Sequence, residues 1–330
     1  MQTVLKKKRK KTVTEELDSA IRRLLQNAHS VVIVSHIRPD ADAVGSLLGL
    51  GLPLLAAGKR VQMVLQDGMP EKYSFLPGAD RVTRSIESGY DTLITVDCSE
   101  PERTGQLLEG LGAPDLVIDH HQTNPNFGKL NIVVPEASAT AFVLANQLPR
   151  WGLSVDADTA QCLLAGILGD TIGFRTSSTD AQTLRAAADL MEKGADLSLV
   201  YRQVLLSRSI SELRYWGQGL IKTQYEDNIL WTVLTLDDRI KAVYPENDDA
   251  DLVNLLSSVS GPFVVVLFVQ QAPDRVKVSW RSIEGIDVSS IASTFGGGGH
   301  AAAAGADVTG SLQEVIAKVL EKTKNVLVGR

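Results

Sequence analysis

The sequence predicts an α/β protein with an N-terminal doubly wound, mainly parallel sheet and a smaller C-terminal α/β domain. Three observations carry this expectation. The first half alternates short β-branched runs with helical stretches, which implies parallel strands joined by right-handed crossovers. At 330 residues the chain exceeds what one hydrophobic core usually serves, so two domains are expected. Finally, His36, Asp40, Asp42, Asp97, Asp119, His120, His121 and Asp170 fall at the ends of four apolar runs. In open parallel sheets, ligands bind beyond the carboxyl ends of the strands.

Residues 1–14 contain six consecutive cations, Lys6, Lys7, Lys8, Arg9, Lys10 and Lys11. They read as a disordered basic tail, with weak electrostatic recruitment of nucleic acid as the functional alternative. A helix is expected at 15–26. The runs at 31–35, 61–65, 92–96 and 116–118 are bounded by turn residues, as buried parallel strands should be. Helices are expected at 44–57 and 138–149, the second opening with Ser138 as N-cap. The apolar helix 159–168 would bring Asp170 to the site from the side. The first domain thus spans 15–195, with a helix after Thr179 or Asp180 as its cap. Segment 196–224 continues in helical register as a linker. The second domain, 225–330, offers strands at 229–236, 263–269 and 275–280 and a last helix at 311–326, without indicating their sheet order.

Composition limits the function classes. A hydrophobic share of 44% with 22% charged residues describes an ordinary soluble globular protein. No apolar run approaches the ~20 residues of a membrane span, and the basic start is not followed by the apolar region of a secretory signal. Cys98 and Cys162 lie inside apolar segments, which fits buried thiols in a reducing cytoplasm. A cytoplasmic protein is expected. The net charge of −6 becomes −12 once the six tail cations are set aside. An acidic body argues against broad non-specific duplex binding, which depends on neutralising many phosphates.

The acids and histidines suit hard divalent cations, which take carboxylate oxygen and imidazole nitrogen without thiolate. Between His36 and Asp42, the bland reading is a loop whose aspartate caps a helix near Val44. That accounts for one acid, but not for a histidine and two acids within seven residues after a buried strand. Gly45-Ser46 would let a phosphate oxygen approach backbone N–H groups. A single acid after a strand, such as Asp97, is usually a cap or turn former. Its weight comes from sharing a sheet edge with the others, where a carboxylate can bridge two metals. Near the C-terminus, Phe295-Gly296-Gly297-Gly298-Gly299-His300 precedes a run of alanines to Gly305. It reads as a nest of N–H groups followed by a helix start, a phosphate cradle. Arg281-Ser282 closes a strand shortly before, and arginine suits bidentate phosphate binding. His29, without acidic neighbours in sequence, is expected to be structural.

His36-x-x-Pro39-Asp40-x-Asp42-x-x-Gly45-Ser46, Asp97, Asp119-His120-His121 and Asp170 resemble the four motifs of the DHH phosphoesterase superfamily. Arg281-Ser282 and Phe295-Gly-Gly-Gly-Gly-His300 resemble the associated DHHA1 domain. The resemblance covers nearly the whole chain apart from the basic tail, and the two-domain arrangement is similar to the bacterial nanoRNase/pAp phosphatase group. It implies hydrolysis of short single-stranded RNA oligonucleotides to mononucleotides and removal of the 3′-phosphate of 3′-phosphoadenosine 5′-phosphate (pAp). It also implies two divalent metal ions, Mn²⁺ first, with Mg²⁺, Co²⁺ or Zn²⁺ compatible with the ligand types. By motif, His36, Asp40 and Asp97 would hold one metal. Asp42, Asp97, His120 and Asp170 would hold the other, with Asp97 bridging. Asp119 would orient an imidazole, and His121 would face the scissile phosphate. Cations about 4 Å apart activate a shared water and clamp both oxygens of an in-line displacement. Arg281, Ser282, Gly297, Gly298, Gly299 and His300 would grip a terminal phosphate across an interdomain cleft, favouring short substrates. Relatives of this kind also imply a homodimer and no membrane partner. Two alternatives stand beside this: a stand-alone phosphodiesterase of linear or cyclic dinucleotides, and a non-catalytic nucleotide-binding protein. The intact ligand set speaks against the second.

Overall fold

The computed structural model describes residues 2–283 and 285–328, with side chains over 15–283 and 285–327. The side chains of the basic tail expected over 1–14 lie outside the described ones, but its backbone from Gln2 onward is part of the same helix as the segment expected at 15–26, where the sequence predicts a disordered tail. The chain divides into two units, Met1–Ser207 and Arg208–Arg330.

The first unit is built on β1 (Ser30–Val34), β2 (Arg60–Val64), β3 (Val82–Thr83), β4 (Thr92–Val96), β5 (Leu116–Asp119) and β6 (Leu130–Val133). All pairings are parallel, in the order β3-β2-β1-β4-β5-β6. β1 and β4 are buried at every position, as their continuous β-branched runs require. The order reverses between β1 and β4, the position where a doubly wound sheet opens a crevice at its carboxyl edge. The helices are α1 (Gln2–Asn27), α2 (Ala41–Ala56), α3 (Thr140–Gln147), α4 (Ala157–Asp170), α5 (Ala181–Glu192) and α6 (Leu197–Tyr201), followed by a π-helical turn at Arg202–Leu206. Leu47, Leu50, Ile94, Ile118, Leu144 and Leu164 belong to the large core on one sheet face. On the other face, Val32, Val34, Val64 and Leu93 lie under Ile86, Tyr90, Leu107 and Leu108, carried by loops and turns instead of long helices.

Two expectations about helix starts need correction. α2 begins at Ala41, earlier than Val44, because Asp40 caps it by accepting from the N–H groups of Asp42 and Ala43. Ser138 does not cap α3; the N-cap is Ala139, which has no capping side chain. The first N–H groups of α3 go instead to a carboxylate 98 and 99 residues upstream, that of Asp42, while Ser138 accepts from the Thr183 hydroxyl. Gly45 also departs from expectation. It packs inside α2 against α4, where an added Cβ would stand 2.5 Å from the Cys162 carbonyl oxygen. Its role is close helix crossing, and no phosphate can approach it.

The second unit contains β7 (Gln224–Glu226), β8 (Ile229–Leu234), β9 (Val264–Ala272), β10 (Arg275–Ser282), β11 (Gly298–His300) and β12 (Ala303–Thr309). Their order is β11-β12-β10-β9-β8-β7. Only β8 and β9 pair in parallel. Its helices are α7 (Ile210–Leu220), α8 (Leu236–Ala242), α9 (Leu252–Leu256), α10 (Ser289–Ser293) and α11 (Leu312–Val328). One face buries Val266, Phe268, Val278 and Trp280 with Val315 and Val319 of α11. The other buries Leu230, Leu234, Val265 and Leu267 with Tyr215 and Leu252. The division between units falls inside the segment expected as a linker: α6 contacts α4, whereas α7 contacts α8 and β8. No helix among the described residues is long and apolar enough to cross a membrane. Cys98 and Cys162 are buried and free.

Candidate metal centre

His36 follows β1, Asp97 follows β4, Asp119 ends β5, and Asp40 and Asp42 open α2. Asp170 is the last residue of α4. The carboxyl edge therefore gathers all eight predicted side chains of the first unit. Three overlapping sets have ligand atoms within 4.8 Å of one another: His36, Asp40 and Asp97; Asp42, His120 and Asp170; and Asp97, His120 and His121.

Asp97 joins the first two sets. Its Oδ2 lies 3.6 Å from His36 Nε2, and its Oδ1 lies 3.8 Å from His120 Nε2. It adopts φ 52°, a left-handed conformation costly for a non-glycine residue and typical of functional positions. Its N–H donates to the Ile118 carbonyl at 2.9 Å. Asp40 serves two purposes with separate oxygens: Oδ1 caps α2, while Oδ2 lies 3.8 Å from His36 Nε2. The capping reading of that aspartate holds, and its second oxygen is left facing the cluster. Asp42 accepts from the Thr140 and Ala141 amides at 2.6 and 2.9 Å and from the Ser46 hydroxyl at 3.2 Å.

Each inward-facing imidazole is oriented from behind. His36 Nδ1 is 2.9 Å from the Ile37 carbonyl, and His120 Nδ1 is 3.2 Å from that of Ala137. A carbonyl only accepts, so these contacts place a proton on Nδ1 and leave Nε2 facing the carboxylates. His120 Nε2 lies 3.0 Å from Asp170 Oδ2 and 4.0 Å from Asp42 Oδ2. His121 is arranged differently. Its Nδ1 is 2.7 Å from Asp119 Oδ1, and Asp119 also accepts from the His120 N–H and from Asn124 Nδ2. Asn124 Nδ2 donates as well to the Cys98 carbonyl.

The charges reflect this crowding. Burial opposes a charge on His36, but the approach of Asp97 and the charge of Asp40 outweigh it and raise its pKa to about 9. His120 is likewise opposed by burial and is raised to about 11, chiefly by Asp170 and then by Asp97 and Asp42. Burial also works against the Asp97 anion, yet His36, His120 and His121 hold its carboxyl well below the usual range. Asp42 is pushed far up by burial and by the carboxylates of Asp97 and Asp170. The donor set fits divalent cations: carboxylate oxygens and imidazole Nε2 atoms converge, carbonyls hold the imidazoles from behind, and the carboxylates of Asp40, Asp42, Asp97 and Asp170 outnumber the two imidazoles that face them.

Sequence reasoning missed Thr140, Asn124 and Arg103. Thr140 Oγ1 donates to Asp97 Oδ1 at 2.9 Å. Arg103 places Nη2 3.4 Å from His36 Nδ1, and its carbonyl accepts the Ile37 N–H. Asn124 alone carried a local signal, three positions after the histidine pair.

In the second unit, the expected cradle has another form. No helix follows the glycines; β11 and β12 form a narrow antiparallel hairpin. In register, Arg281 pairs with Ala303 and Ala303 with His300. Paired residues project to one face, so Arg281 and His300 flank a small alanine in a single row. Ser282 Oγ donates to the Ile286 and Ala301 carbonyls, and Arg281 Nε to Asn254 Oδ1 at 3.3 Å. Gly297 lies against β12, where a Cβ would stand 2.1 Å from the Gly305 carbonyl oxygen.

The fold and site together define the class: the chain belongs to the DHH/DHHA1 family. The model of the DHH family N-terminal domain matches residues 30–167, and that of the DHHA1 domain matches 239–328. The chain is similar to the Thermus thermophilus protein named bifunctional oligoribonuclease and PAP phosphatase NrnA, with 36% identity over 301 residues and 90% of each chain covered. The Bacillus subtilis protein of the same name is 28% identical, over 84% of this chain and 89% of that one. Among solved structures, an exopolyphosphatase-related protein from Bacteroides fragilis superposes with TM-score 0.86 at 26% identity, covering 94% of this chain and 97% of that one.

Proposed function

We propose that this protein is a metal-dependent phosphoesterase that hydrolyses short RNA oligonucleotides to mononucleotides and removes the 3′-phosphate of pAp. The observation that carries the chemistry is the split carboxylate of Asp97, one oxygen toward each imidazole-containing set. The similarity to the two NrnA proteins supports the choice of substrates.

His36, Asp40 and Asp97 would hold one divalent cation, with Asp42, Asp97, His120 and Asp170 holding a second; Mn²⁺ suits these donors. Such a pair, when bound, supplies Lewis-acid activation of water and neutralises charge on the phosphoryl group. The Ile37 and Ala137 carbonyls keep both imidazoles in the ligating tautomer. Asp119 takes the His121 Nδ1 proton in a hydrogen bond, leaving Nε2 to present a proton or charge to the scissile phosphate. Arg281 and His300, separated by Ala303, would grip a terminal phosphate, with Ser282, Gly297, Gly298 and Gly299 shaping the surface around it.

The test is a panel of di- to pentaribonucleotides, long RNA, pAp, cyclic dinucleotides and pyrophosphate, assayed with Mn²⁺. Rapid cleavage of short RNA and pAp is expected, and Asp97→Ala should abolish both. Turnover of cyclic dinucleotides alone would replace the substrate assignment. Substantial activity in Asp97→Ala would refute the bridging role.

A further inference from the structure

Thr140 contacts two of the carboxylates above in different ways. Its backbone N–H donates to Asp42 Oδ2 at 2.6 Å, and its hydroxyl donates to Asp97 Oδ1 at 2.9 Å. The Ala141 N–H adds a bond to Asp42 Oδ1 at 2.9 Å. All the groups involved are buried, with Thr140 fully enclosed. α3 has no capping side chain of its own, so the amides that bind Asp42 are ones the helix must satisfy from elsewhere. Asp42 and α3 are therefore fixed to each other by mutual need. The Thr140 hydroxyl then ties that assembly to the carboxylate lying between the two sets.

We propose that Thr140 is a positioning residue that sets Asp97 relative to Asp42, and through them the spacing of two bound cations. This rests on the dinuclear reading above. The hydroxyl occupies one lone pair of Oδ1 and restrains carboxylate rotation, so that the oxygen's remaining lone pair is aimed at the His120 set. Removing an orienting partner of this type typically weakens metal binding roughly 10–100-fold.

The experiment is a Mn²⁺ titration of the EDTA-stripped full chain, followed by calorimetry and by electron paramagnetic resonance, in which a carboxylate-bridged Mn²⁺ pair gives an exchange-coupled signal. Thr140→Val deletes the hydroxyl while keeping shape and amide. It is expected to bind one of the two ions roughly 10–100-fold more weakly and to lose the coupled signal at stoichiometric metal. Thr140→Ser should restore both. Thermal melting in EDTA verifies folding, and Thr140→Ala supplies the same deletion if the valine variant does not fold. Wild-type affinity and coupling in the hydroxyl-free variant would overturn the proposal. If the unaltered chain shows no coupled pair, the dinuclear reading itself fails.

Discussion

Metal uptake by this site should expel protons, and the number can be worked out from the side chains. At neutral pH the metal-free chain keeps His36 and His120 protonated, since their pKa values stand at about 9 and about 11. Neither can ligate through Nε2 until that proton leaves. Asp42 is pushed above its ordinary range in the same direction, by burial and by its carboxylate neighbours. Binding a pair of cations should therefore release about two protons, and the association constant should rise about 100-fold per pH unit near neutrality. The metal-free fold responds with the opposite sign. A histidine with a raised folded pKa contributes its full stabilisation below the unfolded value near 6.5. That contribution is lost as pH rises through about 9 for His36 and about 11 for His120. The depressed Asp97 contributes only above the unfolded carboxylate value, and its share disappears in acid. Alkaline pH thus weakens the empty fold while strengthening metal binding. Calorimetric titration with Mn²⁺ in two buffers of different ionisation heat, at several pH values around neutrality, counts the protons directly. Identical heats in both buffers would refute the account, because they would mean that binding exchanges no protons.

Two glycines give sharper perturbations. At Gly166 an added Cβ would lie 2.5 Å from Ala141 Cβ and 2.7 Å from Asp42 Oδ1. Gly166→Ala should therefore cost about 1–3 kcal/mol by overpacking and also weaken Mn²⁺ binding, measured by thermal melting in EDTA and by metal titration; an unchanged metal affinity would count against the Asp42 assignment. Gly299 combines φ 141° with a Cβ position 2.5 Å from the Ala303 carbonyl oxygen. Gly299→Ala should disturb the hairpin at a cost of about 1–3 kcal/mol and raise KM for pAp and short RNA while leaving kcat nearly unchanged, as read from steady-state kinetics.

What the sequence discloses depends on how local the physics is. β1 and β4 are legible because burial on both faces favours near-continuous runs rich in β-branched residues. β3 and β7 are short edge strands whose residues carry no comparable pattern. The glycine-rich segment shows why composition alone misleads. Four glycines and a run of alanines permit a nest, but they equally permit β11 and β12 to approach closely through backbone pairing. Small side chains have no periodicity with which to distinguish the two. The metal-ligand candidates are legible because each lies at the end of its own apolar run, and the sheet does the gathering. The residues that aim them are not. Thr140 reaches Asp97 across 43 positions and Asp42 across 98, and neither separation leaves a trace in the local sequence.

The geometry also shows what the chain itself supplies against the mutual repulsion of this crowd of acids. Asp40, Asp42, Asp97 and Asp170 converge on one edge of the sheet, and four bare anions there would repel one another strongly at the short separations observed. Two of them are partly balanced by helix starts: Asp40 accepts from the first amides of α2, and Asp42 from those of α3. Helix N-termini carry partial positive charge, so each offsets part of an anion. Part of the remaining charge is met by protons on His36 and His120. Cations bound there would replace protons in a frame already held by backbone amides. Because those amides belong to α2 and α3, any change that shifts either helix start should alter metal affinity, even where it touches no ligand.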